Sequence, residues 1–189
     1  MVHRRDLNGE KPVFGNQGAL WGNAMTWWDH GTGSVWSQPL GEAILGPRKG
    51  DRLELFPSSM TTWGAWRDAH PDTLVLSTDT GFDKDYSVDR YANYRESDGL
   101  MFPVNQEDGR VHPKSVVFGF NVAGKAVAYT ESLLQEQPTY RHEFDGAEHV
   151  VTLRADGTVK LRRGEDTLEP IRLYWFAWYT FNPQTELVK

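Results

Sequence analysis

Through most of the chain short β-rich runs are separated by glycine-containing turns, and the alternation of apolar and polar positions is clearest at Val151, Leu153, Val159 and Leu161. Such a pattern is that of consecutive β-hairpins. Val2 to Arg5 and Pro12 to Gly15 flank Asn8-Gly9, a pair suited to the positive φ values of a tight turn. Ala24 to Asp29 and Ser34 to Gln38 flank His30-Gly31-Thr32-Gly33, and Glu42 to Leu45 and Arg52 to Phe56 flank Gly46 to Gly50. Further on, Val116 to Asn121 and Ala126 to Tyr129 turn at Ala123-Gly124-Lys125. A half-buried meander follows from Tyr140 to Phe144, His149 to Arg154 and Thr158 to Arg163, turning at Asp145-Gly146 and Asp156-Gly157.

Helical spacing is scarce. Trp63 to Ala69 reads as one short helix, with Thr61 or Thr62 available to cap its first amides and His70-Pro71 to stop it. Thr130 can cap a second through Leu134. Thr73 to Ser77 reads as a buried strand, and Ile171 to Phe181 as a central strand or a short buried helix. The fold class expected is therefore mainly β: one domain over residues 1–189, built of antiparallel hairpins as a curled sheet, barrel or sandwich, with one or two short helices. An uncovered sheet edge in such a fold invites self-association.

Composition narrows the chemistry. The 189 residues contain no cysteine, which removes thiol nucleophiles, thiolate zinc sites and iron–sulfur clusters. With 26 acidic against 20 basic residues the formal charge is −6, so no overall positive field attracts nucleic acid. No apolar run reaches the length of a membrane span, and no apolar stretch follows His3-Arg4-Arg5 to make a signal peptide. As written, the chain is expected to stay where it is made, and to be exported only if an upstream segment precedes it.

Four residues stand out for chemistry. The hairpin pattern brings Asp29, Trp36, Gln38 and Glu42 near one another. Two carboxylates beside an indole and an amide suit the acid and base of a hydrolase, with Gln38 orienting the substrate. The same groups also suit turn capping and strand-end hydrogen bonds. Asp79, Asp83 and Asp85 offer hard oxygen ligands within a polar, tyrosine-rich stretch from Asp79 to Gly99, and calcium is the metal they would suit, although their spacing is not that of an EF-hand. Eight tryptophans are many for this length. Trp28, Trp36 and Tyr86 are the candidate aromatic contacts for a sugar or small ligand, against the ordinary alternative that such rings fill the core. His142 and His149 face each other across the Asp145-Gly146 turn, a nitrogen pair that needs a third ligand to hold a metal.

Several longer segments resemble a microbial family catalogued as domain of unknown function 3179. Gly33 to Pro47 (GSVWSQPLGEAILGP) is similar to its tryptophan–serine–glutamine and glycine–glutamate–alanine signature, and Thr61 to Tyr86 (TTWGAWRDAHPDTLVLSTDTGFDKDY) to its next block. Pro113 to Tyr129 and Tyr174 to Leu187 resemble the last two blocks. Full-length members carry, upstream of the position matching Val2, a tryptophan–histidine–glutamate segment and a cysteine–proline–leucine–cysteine segment. The resemblance thus implies either a chain shortened at its N-terminus or one that has lost those cysteines, and carries over no activity. Two function classes follow: a noncatalytic module binding a sugar or small ligand around Trp36, Gln38 and Glu42, which is favoured, and a hydrolase using Asp29 and Glu42.

Overall fold

The structure, a computed structural model, describes residues 1–189. The first half of the chain forms β1 (Val2–His3), β2 (Phe14–Trp21), β3 (Ala24–Asp29), β4 (Val35–Ser37), β5 (Glu42–Leu45), β6 (Leu55–Phe56), α1 (Trp63–Ala69) and α2 (Ala92–Glu96). The second half forms β7 (Val116–Val122), β8 (Lys125–Thr130), α3 (Glu131–Glu136), β9 (Thr139–Phe144), β10 (Ala147–Leu153), β11 (Val159–Arg163), β12 (Asp166–Leu168), β13 (Ile171–Tyr174), α4 (Trp175–Phe181) and β14 (Glu186–Val188). The protein is mainly β, as its alternation predicts, and no sheet closes into a barrel.

The second half is layered. One sheet runs β12-β11-β10-β9 and another runs β13-β7-β8-β14, with β14 parallel to β8. Alternation gives each central strand two faces. From β7 and β8, Phe118, Phe120, Val127 and Tyr129 meet Phe144, Val151, Val159 and Leu161 of the other sheet in the largest apolar cluster, closed at one end by Leu133 and Leu134 of α3. Each such side chain contributes about 1.5–3 kcal/mol on burial, so this sandwich is the main source of stability. Val117 and Ala128 point the other way and are covered by Trp175 and Trp178 of α4.

The helix α4 touches that sheet because β7 has no side chain at Gly119. A Cβ there would stand 2.4 Å from Trp178 ring carbons. The first amides of α4 lack a side-chain cap; instead Trp175 N donates to Ser115 O (2.8 Å) and Phe176 N to Pro113 O (2.9 Å). Here the apolar run from Ile171 to Phe181 splits into strand and helix.

The first half forms a sheet β2-β3-β4-β5 over a smaller cluster of Leu7, Trp36, Ala43 and Leu53. Asn8-Gly9 does turn the chain (φ 51° and 85°), but it joins only a bridge between Leu7 and Glu10. β1 pairs instead with β6, and the expected partner of β5 keeps only the Glu42–Arg52 bridge. A further correction concerns Thr73 to Ser77. It is an exposed irregular segment, with Leu74 and Leu76 96% and 95% exposed, and every residue from 62 to 91 is exposed. Helix α1 keeps its expected bounds and is capped by Thr62 Oγ1, which accepts from Ala65 N (3.2 Å), while α2 adds a turn that sequence spacing does not reveal.

Candidate functional site

Asp29 ends β3 and is 1% exposed. Its Oδ1 accepts from Thr32 N (2.7 Å) and Thr32 Oγ1 (2.9 Å), and its Oδ2 from Trp36 Nε1 (3.0 Å). Burial raises the carboxyl pKa, yet the bonds from Trp36 and Thr32 outweigh it, and the pKa lies below the ordinary carboxylate value. Asp29 therefore holds the His30–Gly33 turn as a saturated anion. Trp36 is 0% exposed, its indole against Phe14 (5.4 Å between centroids), so it fills the small core of the first sheet.

Glu42 points elsewhere. The register Thr26↔Ser37↔Glu42 sets Glu42 level with Thr26, two strands from β3 and three residues along from Asp29. That separates the two backbones by about 10 Å in each direction. Alternation also places Glu42 on the face opposite Ala43, Trp36 and Asp29, where it pairs with Arg52 Nη2 (2.5 Å). The structure thus does not bring the carboxylates into one cleft. Gln38 contributes a backbone carbonyl that accepts from His3 Nε2 (2.9 Å). Trp28 lies on the outer face with one side stacked on His30 (4.2 Å, 6° between planes).

The remaining candidates are scattered. Tyr86 shares a hydrogen bond with Thr80 Oγ1 (2.7 Å), and Asp85 accepts from Ser87 N (2.9 Å) and Oγ (2.6 Å). Asp79 and Asp83 lie on the same exposed segment, and no group of three His, Asp or Glu is arranged to hold a metal. His142 and His149 are register partners, as expected. His142 Nε2 meets Glu186 Oε1 (2.9 Å) and its Nδ1 meets the Tyr129 hydroxyl (3.2 Å), whereas buried His149 bonds only Ala147 O (3.0 Å) through Nδ1.

A concave site lies where the segment between α2 and β7 packs against α4. A cavity of about 690 Å³ is walled by Leu100, Met101, Phe102, Pro103, Pro113 and Phe176, and Asp98, Glu107 and Asp108 form its polar edge. A second hollow of about 400 Å³, lined by Leu20, Tyr91, Tyr94 and Tyr174, shares Met101, Phe102 and Phe176 with it. Asn23, at the tip of the β2–β3 hairpin, donates to Phe102 O (2.9 Å), and α4 supplies Phe176.

A buried cation fixes the wall. The Lys114 ammonium donates to Ser97 O, to Ser97 Oγ (3.2 Å) and to Gly99 O (2.7 Å), and sits 4.2 Å from the centre of the Tyr94 ring. On the far side Trp175 Nε1 donates to Asp108 O (3.1 Å), and Arg110 Nε donates to both carboxylate oxygens of Asp108 (2.9 and 3.0 Å). Burial raises the Asp108 pKa, but Arg110 prevails and the carboxylate is held below its usual range. Asp98 meets His112 Nε2 (3.2 Å). Glu107 makes no ion pair, and no cation is among the cavity's lining residues. Gln106 to Arg110 holds only polar residues and a glycine, the composition of a loop, and only the tertiary approach of α4 turns it into a cavity edge.

A family model described as protein of unknown function (DUF3179) matches residues 1–167. No curated protein and no solved structure matches the chain.

Proposed function

We propose that this chain, which belongs to the DUF3179 family, is a noncatalytic module that binds a small ligand in the cleft between Phe102 and Phe176. The observation that carries the reading is the lining itself: a cavity of about 690 Å³ with six apolar walls, where Asp98 and Asp108 are paired with His112 and Arg110 and Glu107 is the carboxylate left without an ion-pair partner. Its size lies within the range of small-molecule sites, and a few polar groups on an apolar wall are what orient a ligand. The unpaired Glu107 carboxylate on an otherwise apolar wall favours an occupant with an apolar body and a positively charged end. The lining carries no Ser, Thr, Lys or His, and two of its three carboxylates, Asp98 and Asp108, are paired with His112 and Arg110, which supports binding over turnover.

The test is calorimetric titration with 2-phenylethylamine beside uncharged 2-phenylethanol. The amine binds at least about fivefold more tightly, the equivalent of about 1 kcal/mol for one partly solvated charge pair. Glu107→Gln removes that preference, and Phe102→Ala weakens both compounds. Equal binding of amine and alcohol, or binding indifferent to Glu107 and Phe102, contradicts the reading.

A further inference from the structure

One part of the outer face of the β12-β11-β10-β9 sheet gathers cations, with Glu143 and Glu148 beyond it on the same face. Alternation turns Val151, Val159 and Leu161 into the core and leaves Arg141, Thr152, Lys160 and Arg162 outside. The register places Arg141, Val150 and Arg162 side by side across three strands, with Thr152 and Lys160 in the adjoining row. Together with Arg154 these residues line a hollow of about 420 Å³ that holds four cations and no carboxylate, in a chain of formal charge −6. Arg141 and Lys160 have ion-pair partners at the margin, Glu148 and Glu169. Arg154 and Arg162 make no ion pair.

The molecule also exposes the complementary piece. Residues 62 to 91 are exposed throughout, and Leu74, Leu76 and Phe82 on this segment are among the most exposed large apolar side chains of the protein. Among them Asp79, Asp83, Asp85 and Asp89 outnumber Lys84 and Arg90. Asp83 and Asp85 lie two positions apart, both exposed, with Lys84 between them.

From this match of charge we infer that two copies of the chain associate reciprocally, the aspartate segment around Asp83 and Asp85 of each lying on the basic sheet face of the other. The exchange is two-fold, so it closes as a dimer and does not propagate. It also covers apolar side chains that are otherwise in water. The recognition is electrostatic and weakens with salt, because the Debye length falls from about 10 Å at 0.1 M to about 3 Å at 1 M.

The experiment is sedimentation velocity of the full chain at 0.05 and 0.5 M NaCl, on the native sequence and on two charge-reversed variants. One carries Arg154→Glu and Arg162→Glu, the other Asp83→Lys and Asp85→Lys. All four sites are exposed, and a thermal transition within a few degrees of the native one shows that each variant folds. The native chain is expected as a dimer at low salt, with its dissociation constant rising on the order of tenfold at high salt. Each variant alone sediments as a monomer, since the face of the first loses its net positive charge and the segment of the second loses its net negative charge. A mixture of the two restores association, because the aspartate segment of the first then meets the intact basic face of the second. A native chain that is monomeric at low salt overturns the inference, as does a dimer that survives in either variant or a mixture that stays monomeric.

Discussion

Replacing Gly119 by alanine tests how closely α4 is seated. The added methyl carbon would lie 2.4 Å from Cε3 and Cζ3 of Trp178 and 2.5 Å from Cη2. Carbon atoms rest at about 3.5–4.0 Å, so something must move by about 1 Å. The indole has little freedom to turn, being 1% exposed and tied through Nε1 to Thr185 Oγ1 at 2.9 Å. Relief has to come from lifting α4 off the sheet or breaking that hydrogen bond. Overpacking of this kind costs about 1–3 kcal/mol, and a lost buried bond about 1 kcal/mol more. For a chain of this size each kcal/mol lowers Tm by about 2–4 °C, so thermal unfolding followed by circular dichroism should show a drop of roughly 5–15 °C. Gly64→Ala is the control: it lies in α1 with nothing within 4 Å of the new carbon, and alanine is the better helix former, so Tm holds or rises slightly. A Gly119→Ala protein melting within about 2 °C of the native one would refute the packing argument.

Three other changes have worked signs. Asp29→Asn removes an anion that accepts from Thr32 and Trp36, and should cost about 2–3 kcal/mol by urea unfolding at pH 7. Because the folded pKa of Asp29 is depressed, its contribution is full above about 3.9 and is lost as pH falls through the lower folded value; the variant lacks this acid-side loss. Burial depresses the His149 pKa, with Arg163 and His142 adding to it and the Ala147 carbonyl opposing it. The unfolded chain therefore binds the proton first, and stability is full above pH 6.5 and declines as the pH falls below it. His149→Phe removes its part of this slope, seen as a smaller shift of the urea midpoint between pH 7.5 and 5. Lys114→Met leaves the Ser97 and Gly99 carbonyls without their donor, so a loss of about 2–4 kcal/mol and weaker 2-phenylethylamine binding are expected together; an unchanged affinity would show that Lys114 does not shape the cleft.

Local chemistry was legible where the chain decides its own conformation. Asp145 and Gly146 tolerate the positive φ values of 51° and 71° that a tight hairpin needs, and that turn alone sets His142 opposite His149. Thr62 and Thr130 likewise mark their helices, each accepting from an amide three residues on. What sequence could not convey was the choice among distant partners. β1 and β6 pair as a separate two-stranded sheet, and no local signal encodes a pairing whose strands enclose β2 to β5 between them. Thr73 to Ser77 has the composition of a buried strand but meets no sheet. The Asp29–Glu42 proximity failed on parity, since a position three residues along a strand faces the other way. The cleft was hidden for the opposite reason: Phe176 reaches the Leu100–Pro103 wall only after α4 has folded back over β7.

The account turns on where a small amphipathic cation binds. Two-dimensional NMR of the ¹⁵N-labelled chain during titration with 2-phenylethylamine locates it residue by residue. The account predicts saturable shifts at the amides of Gly99, Met101, Phe102, Gly109 and Phe176, with Trp36 and Glu42 unmoved. Shifts gathered instead along β3 to β5 around Asp29 and Glu42, or no saturable shift anywhere, would contradict it.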